Sequence, residues 1–240
     1  MKKIETIENK WDLLYRDYPE IYDEFASISK KPDVVAIIKK MFDFKDKVIA
    51  DIGSGSGKST FPLAKAAKFV IGIEPEYSMR RLAVKYARSV KIKNVEFKKG
   101  FAENIPLKIG SVDFVIGITI ASFHDPENIK RFVRESSRVA KKGGFIITVN
   151  IAPGWYGGEL APVILGRSRK TLVDTEGVAD KTFTGLGFKH KDFYQMQDYG
   201  TVTKAVRTYG FIFGKKVIGF IKKNKVTKIK WKSRIHYKQI

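Results

Sequence analysis

Three glycines alternate with other residues after an aspartate in the stretch VIADIGSGSGKSTFPLAK, which starts at residue 48. Asp51, Gly53, Gly55 and Gly57 together form the pattern D-x-G-x-G-x-G. Alternate glycines let a backbone turn pass close to a bound ligand. A carboxylate next to such a turn repels phosphate groups and favours a cationic ligand. The spacing therefore predicts a loop, including Ser54, that holds a positively charged small molecule.

Two phosphate-binding loops resemble this stretch, and each fails by one residue. The triphosphate loop G-x-x-x-x-G-K-[ST] needs its first glycine at position 52, where the chain has Ile52. The dinucleotide loop G-x-G-x-x-G needs its third glycine at position 58, where the chain has Lys58. We therefore expect binding of neither ATP nor a dinucleotide.

Apolar strands and amphipathic helices alternate around this loop from residue 45 to residue 150. Continuous apolar strands between helices are typical of a parallel sheet covered on both faces. The predicted strands are 47–51, 69–74, 95–100, 112–118 and 143–150, and the predicted helices are 57–67, 77–90 and 126–140. Ligands of such sheets bind beyond the carboxyl ends of the strands, where Asp51, Glu74, 100–103 and 118–124 fall. A carboxylate at Glu74 suits both hydroxyls of a ribose.

The flanking segments have other patterns. One apolar face, interrupted at Pro19, predicts two helices between Glu5 and Phe25, and a further helix is predicted near 32–42. A strand is predicted near 187–196. A helix is predicted over 202–223, where three glycines favour a kink or very close packing. Residues 227–238 alternate apolar and basic side chains, which predicts a strand with one solvated basic face.

The loop and its surroundings resemble the class I methyltransferases that use S-adenosylmethionine (SAM). The stretch GFAENIPL, residues 100–107, is similar to the adenine-binding turn G-D-A-E-x-L-P of that family. The segment from Ser111 to Val149 resembles the group that includes quinone-biosynthesis enzymes. The resemblance covers about residues 45–150, with a weaker match, YDEFA, at Tyr22.

The resemblance implies a Rossmann-like, doubly wound α/β fold. Its sheet would be mostly parallel and seven-stranded, with helices on both faces and an antiparallel C-terminal strand. One domain would span residues 1–240, with a helical lid (1–42), a SAM-binding core (45–150) and a substrate-side part (151–240). The cofactor would be SAM and the product S-adenosylhomocysteine. The residues expected to bind it are Asp51, Gly53, Ser54, Gly55, Gly57, Glu74, Pro75, Phe101, Ala102, Glu103 and Ile118.

Adenine recognition differs from the family pattern. Phe101 stands where the family has the aspartate that receives the adenine amino group. The backbone of Ala102 or Glu103 would then contact the base, or the Phe101 ring would pack on it. On the acceptor side, the expected residues are Tyr22, Trp155, Tyr156 and Glu159. His124 is the candidate general base, because its ordinary pKa suits proton transfer near neutral pH; a surface or capping histidine is the competing interpretation.

Composition limits the reaction and the partners. The chain contains no cysteine, which excludes disulfides, thiolate metal sites and cysteine nucleophiles, and its three histidines are scattered. No metal site is expected. No apolar run is long enough to span a membrane, and the N-terminus lacks the apolar core of a signal peptide, so we expect a cytoplasmic protein.

The net charge of +21 does not decide whether the protein binds a small molecule or a nucleic acid. The last 40 residues contain 12 Lys and Arg and no acidic residue. This bias fits either RNA docking or the lysine-rich composition of heat-adapted proteins. The leading hypothesis is methyl transfer to a small molecule. The alternatives are an RNA or other macromolecular methyltransferase that docks through the basic C-terminal face, and a non-catalytic SAM-binding protein.

Overall fold

The computed structural model describes residues 5–28, 30–120, 123 and 125–240. Its strands are β1 (Lys30–Lys31), β2 (Val48–Ile52), β3 (Phe69–Ile73), β4 (Val95–Lys98), β5 (Val112–Ile118), β6 (Ala140–Ile151), β7 (Lys189–Asp198) and β8 (Lys228–Gln239). Its α-helices are α1 (Trp11–Asp17), α2 (Pro19–Ser27), α3 (Val34–Lys39), α4 (Thr60–Ala64), α5 (Tyr77–Ser89), α6 (Pro126–Val139), α7 (Ala161–Leu165), α8 (Arg169–Glu176), α9 (Val178–Gly185), α10 (Val202–Ala205), α11 (Phe211–Phe213) and α12 (Lys215–Asn224).

The strands form one sheet in the order β1-β7-β8-β6-β5-β2-β3-β4. Strands β2 to β6 pair in parallel, and the C-terminal strands run antiparallel. The predicted mostly parallel, doubly wound α/β sheet is thus confirmed. It has eight strands instead of seven, because the two residues of β1 pair antiparallel with β7. A segment this short carries no alternating pattern from which to predict a strand.

The chain forms two compact units. One contains residues 35–150, 177–192 and 234–240. Its main core includes Ile52, Ile73, Val115 and Phe132, all of which are buried. Because β2, β3 and β5 contribute apolar side chains to this core, their carboxyl ends are held in register, and these are the ends that carry the loop, Glu74 and Ile118.

The other unit contains residues 1–34, 151–176 and 193–233. Its core is rich in aromatic side chains, among them Phe25, Tyr209, Phe213 and Trp231. The predicted helix over 202–223 is interrupted in this unit. A π-helical turn covers Val206–Gly210, and the helix stops at Gly214, whose φ is +109°. Of the two predicted alternatives, close packing is found at Gly210, where a Cβ would lie 2.8 Å from Ile218, whereas a Cβ on Gly219 would meet no atom within 4 Å.

The fully solvated basic face predicted for the C-terminal strand is wrong for its second half. Lys228 and Lys230 are exposed, but Arg234 is half-buried and His236 is 1% exposed. Arg234 donates to Asp180 at 2.6 Å, and to both carboxylate oxygens of Asp192 at 2.6 and 2.9 Å. The Nε2 atom of His236 lies 2.9 Å from Asp180. The period-two pattern identifies the two faces of a strand. It does not show that Asp180 of α9 covers part of the basic face.

We expect Arg234→Gln to lower the free energy of unfolding by about 3–5 kcal/mol, because it leaves two partly buried carboxylates without their cation. Lys230→Gln on the exposed part of the same strand is the control, with an expected change within about 0.5 kcal/mol. Urea denaturation of both variants measures the difference. Equal stabilities would instead support a solvated face along the whole strand.

Candidate functional site

The glycine loop between β2 and α4 adopts backbone conformations that only glycine accepts readily. Gly53, Gly55 and Gly57 have φ of +69°, +53° and +90°. A Cβ on Gly57 would collide with the ring of Phe61. A Cβ on Gly55 would meet no atom within 4 Å, so this residue borders open space. The loop thus exposes bare backbone at Gly55, and its binding of a ligand stays a prediction.

Asp51 lies under this loop at the end of β2 and is 1% exposed. Its Oδ2 atom accepts hydrogen bonds from the hydroxyls of Ser59 (2.8 Å) and Thr60 (2.6 Å), whereas its Oδ1 atom is buried without a hydrogen-bond partner. Burial raises the pKa of Asp51 from its ordinary 3.8 to about 6. The Thr60 and Ser59 hydroxyls partly offset this rise, and the negative charge of Glu74 adds to it.

Glu74, at the end of β3, is 7% exposed and braces the same loop. Its Oε2 atom accepts from the backbone N–H of Gly55 at 2.9 Å, and its Oε1 atom accepts from the N–H of Glu76 at 3.0 Å. Each carboxylate oxygen can still accept a second hydrogen bond. The carbonyls of Glu74 and Pro75 both accept from Arg80 at 2.6 Å. Hydrogen bonds therefore fix the position of both the backbone and the side chain of Glu74.

The predicted adenine turn follows β4, and Ile118 ends β5. Ala102 is buried, Glu103 is half-buried, and Phe101 is 52% exposed. Gly100 packs so closely that a Cβ would lie 2.5 Å from Pro106 and 2.8 Å from Ile73. Ile73 immediately precedes Glu74, so this contact joins the turn to the strand end that carries the carboxylate.

The predicted acceptor residues lie in the unit that contains residues 151–176. The Trp155 ring lies 4.0 Å from the Arg169 guanidinium and 5.6 Å from the Tyr194 ring. Tyr22 packs against the aromatic core of this unit. The Tyr156 hydroxyl donates to Asn9 at 2.7 Å and also bonds Trp11.

Two further candidates complete the predicted set. The Glu159 carboxylate accepts from the backbone N–H of Lys230 at 2.8 Å. His124, the candidate general base, lies outside the described residues.

Ser59 and Thr60 are site residues that the sequence analysis missed. They follow the last glycine of the loop, and their hydroxyls are the hydrogen-bond donors to Asp51. The signal that could have found them is a pair of hydroxyl residues at the start of a helix that follows a strand-end carboxylate. The phosphate-loop pattern, whose spacing does not fit, ends at Ser59 and does not include Thr60.

Neither a metal-binding cluster nor a membrane-spanning helix is found in the described part of the chain. The His, Asp and Glu side chains described there form no group of three or more that could hold a metal ion. None of the helices described has the length and apolar character needed to cross a membrane.

The comparison with protein families matches residues 50–148 to the family described as methyltransferase domain. The match covers 99 of the 240 residues of this chain. The match contains Asp51, the glycine loop, Glu74 and the adenine turn. The resemblance expected from these motifs is confirmed.

Three proteins with similar sequences are informative. A Dictyostelium discoideum protein named as a methyltransferase is 36% identical over 134 residues, covering 52% of this chain and 48% of its own. The ubiquinone/menaquinone biosynthesis C-methyltransferase UbiE of Campylobacter jejuni is 31% identical over 124 residues, covering 49% and 50%. The YcgJ protein of Bacillus subtilis is 27% identical over 135 residues, covering 56% and 53%.

The crystal structure of YcgJ superposes on 85% of this chain and 97% of its own, with a TM-score of 0.58 and 16% identity. At that identity the superposition shows a shared fold alone. The chain spans about half the length of the curated relatives it matches. The activity of this chain must therefore be argued from the site.

The raised pKa of Asp51 predicts an unusual dependence of stability on pH. The folded state holds the Asp51 proton more tightly than the unfolded state, so this contribution is complete below about pH 4 and is lost as the pH rises through about 6. We expect Asp51→Asn to raise the free energy of unfolding of the ligand-free protein by about 1–3 kcal/mol at pH 8. Near pH 4 the change should be small. Denaturant titrations at both pH values measure it.

Asp113 on β5 is the matched control. Burial opposes its ionisation, but the N–H of Val48 and the Lys141 amine outweigh that effect and hold the pKa of Asp113 below its ordinary value. Asp113→Asn should therefore lose stability at pH 8. If Asp51→Asn loses as much stability as this control at pH 8, the buried carboxylate is not destabilising and the site's electrostatics are misassigned.

Proposed function

We propose that the protein transfers the methyl group of SAM to a small-molecule acceptor. The observation that carries the proposal is the pair of buried carboxylates, Asp51 and Glu74, beneath a loop of bare glycine backbone. Two negative charges beside a turn disfavour phosphate and favour a ligand that carries a sulfonium and an ammonium group.

The residues present fit SAM. Asp51 has a buried oxygen without a partner, and Gly55 borders open space. Glu74 would accept hydrogen bonds from the ribose hydroxyls, and the N–H of Gly55 keeps its carboxylate turned toward the loop. Bound SAM supplies a methyl group on a positively charged sulfur, which is already a good leaving group. The chain's own task is then to align the acceptor and to exclude water.

A small-molecule acceptor agrees with one relative, since UbiE of Campylobacter jejuni is named for quinone biosynthesis. We propose that Tyr22, Trp155, Tyr156 and Glu159 contribute to the acceptor side. We propose His124 as the general base where the acceptor must lose a proton.

Calorimetric titration tests the cofactor. We expect SAM and S-adenosylhomocysteine to bind and ATP not to bind. Glu74→Ala should weaken SAM binding by about 2–4 kcal/mol, roughly 30- to 1000-fold, because charge-assisted hydrogen bonds are lost, and Glu74→Gln should weaken it less. Tight ATP binding without SAM binding would contradict the proposal. SAM binding without methyl transfer to any acceptor would support the non-catalytic alternative.

RNA docking is the second candidate, and one observation favours it. The Lys230 and Lys232 amines lie 4.4 and 5.8 Å from the centre of the Tyr194 ring, which is 48% exposed. Exposed aromatic rings among cations are typical of surfaces that bind single-stranded nucleic acid. Against this, Lys228 is paired with Asp198 at 3.0 Å, and Arg234 is held by two carboxylates.

A salt titration of RNA binding decides between the two candidates. If Lys228, Lys230 and Lys232 contact phosphates, replacing all three with Gln should flatten the slope of log affinity against log salt by about 2, at about 0.7 per contact. SAM affinity should not change. We expect weak RNA binding in the unmodified protein and little effect of the triple variant. Tight, salt-sensitive binding that the variant abolishes would establish the RNA alternative.

A further inference from the structure

The adenine turn closes on itself. The N–H of Phe101 donates to the carbonyl of Asn104 at 3.3 Å, and the N–H of Asn104 donates back to the carbonyl of Phe101 at 3.2 Å. Within the described part of the chain, the N–H groups of Ala102 and Glu103, at the tip of this turn, donate to no other residue. Those two donors therefore have no acceptor within that part of the chain, and the aspartate of the family pattern is absent at Phe101.

Two side chains of α6 hold the segment that follows the turn. The Glu135 carboxylate accepts from the N–H of Ile105 at 3.0 Å. The Arg138 guanidinium donates to the carbonyls of Ile105 (2.8 Å) and Leu107 (2.9 Å). Arg138 and Glu135 also bond each other through two contacts, at 2.6 and 2.8 Å. One bidentate ion pair thus fixes three backbone groups next to the turn.

The geometry distinguishes this pair from an ordinary surface ion pair. Its side chains are 33% and 19% exposed, and its hydrogen bonds reach a loop about 30 residues away in sequence. The pair Glu127 and Lys130 lies on the same helix at the same spacing, with side chains that are more than half exposed and a contact of 2.7 Å. An ion pair confined to one exposed helix face contributes little to stability. The Glu135–Arg138 pair orders a backbone segment instead.

We propose that Glu135 and Arg138 are positioning residues for adenine recognition, an inference that rests on the proposed SAM site. They hold the turn so that the backbone N–H of Ala102 or Glu103 meets the N1 atom of adenine, which accepts hydrogen bonds. Hypoxanthine carries a hydrogen on N1 and cannot accept there. The ion pair thereby supplies the base selectivity for which Phe101 has no polar group.

The test compares S-adenosylhomocysteine with its hypoxanthine counterpart, S-inosylhomocysteine, by calorimetry. We expect the unmodified protein to prefer the adenine ligand, and Arg138→Gln or Glu135→Ala to weaken it by about tenfold, as expected when charge-assisted hydrogen bonds are lost. Binding of the hypoxanthine ligand should change little, so the selectivity falls. Arg138→Lys should restore part of it. The control, Glu127→Gln with Lys130→Gln, should leave both affinities unchanged.

Two outcomes would overturn the inference. One is a selectivity in Arg138→Gln that equals that of the control. The other is an equal loss of affinity for both ligands, because it would mean that the variant damages the whole binding site and not the recognition of adenine. Failure of the unmodified protein to bind S-adenosylhomocysteine would instead refute the proposed function.

Amide hydrogen exchange in the unmodified, ligand-free protein tests the same contact without any variant. The Ile105 amide should exchange much more slowly than the amides of Ala102 and Glu103, because Glu135 accepts from it. Exchange of the Ile105 amide as fast as that of the other two would overturn the proposal, even if both variants fail to fold.

Discussion

The buried carboxylate of Asp51 is the constraint on which the candidate site depends. Asp51 is the penultimate residue of β2, where the other residues are apolar and all but Val48 are buried, and it is itself 1% exposed. Two hydroxyls from the beginning of α4 bond it, which ties the strand end to the helix across the loop. With both ends tied, the chain between them makes a tight turn, and its three glycines take up the positive φ values.

The second carboxylate, Glu74, is the basis of the ligand preference that we propose for the turn. Glu74 bonds the loop at Gly55 and adds to the negative potential around Asp51. A loop that binds phosphate exposes backbone N–H groups to an anion, but here one of those groups is directed at a carboxylate. The same arrangement suits a ligand with positive charge at one end and ribose hydroxyls at the other. In the proposed function, selection against phosphate and selection for SAM thus have one physical origin.

Much of this was predictable from the sequence because the signals are local. Glycine spacing, apolar strands and a carboxylate at a strand end each depend on neighbouring residues, and the parallel sheet brings those strand ends together. The hydrogen bonds of Ser59 and Thr60 to Asp51 could also have been predicted, since both residues follow the loop directly. The negative charge near the loop narrows the possible ligands to cationic ones. The residues alone do not identify the methyl acceptor.

Other features depend on contacts between distant segments, which a pattern in one segment does not contain. Arg234 is basic and alternates with apolar residues, yet Asp180 and Asp192, from α9 and β7, neutralise it. Glu135 and Arg138 have the spacing of a common helical ion pair, and only the three-dimensional structure shows that both bond the backbone of Ile105, next to the predicted adenine turn.

The most direct measurement of the central claim is a carbon-detected NMR titration of the Asp51 carboxyl group, with and without S-adenosylhomocysteine. In the ligand-free protein this group should titrate near pH 6, because burial and Glu74 oppose its ionisation. The bound ligand's ammonium group should lower the pKa of Asp51, since a nearby positive charge favours the ionised form. A pKa near 4 that does not change on addition of the ligand would contradict the account.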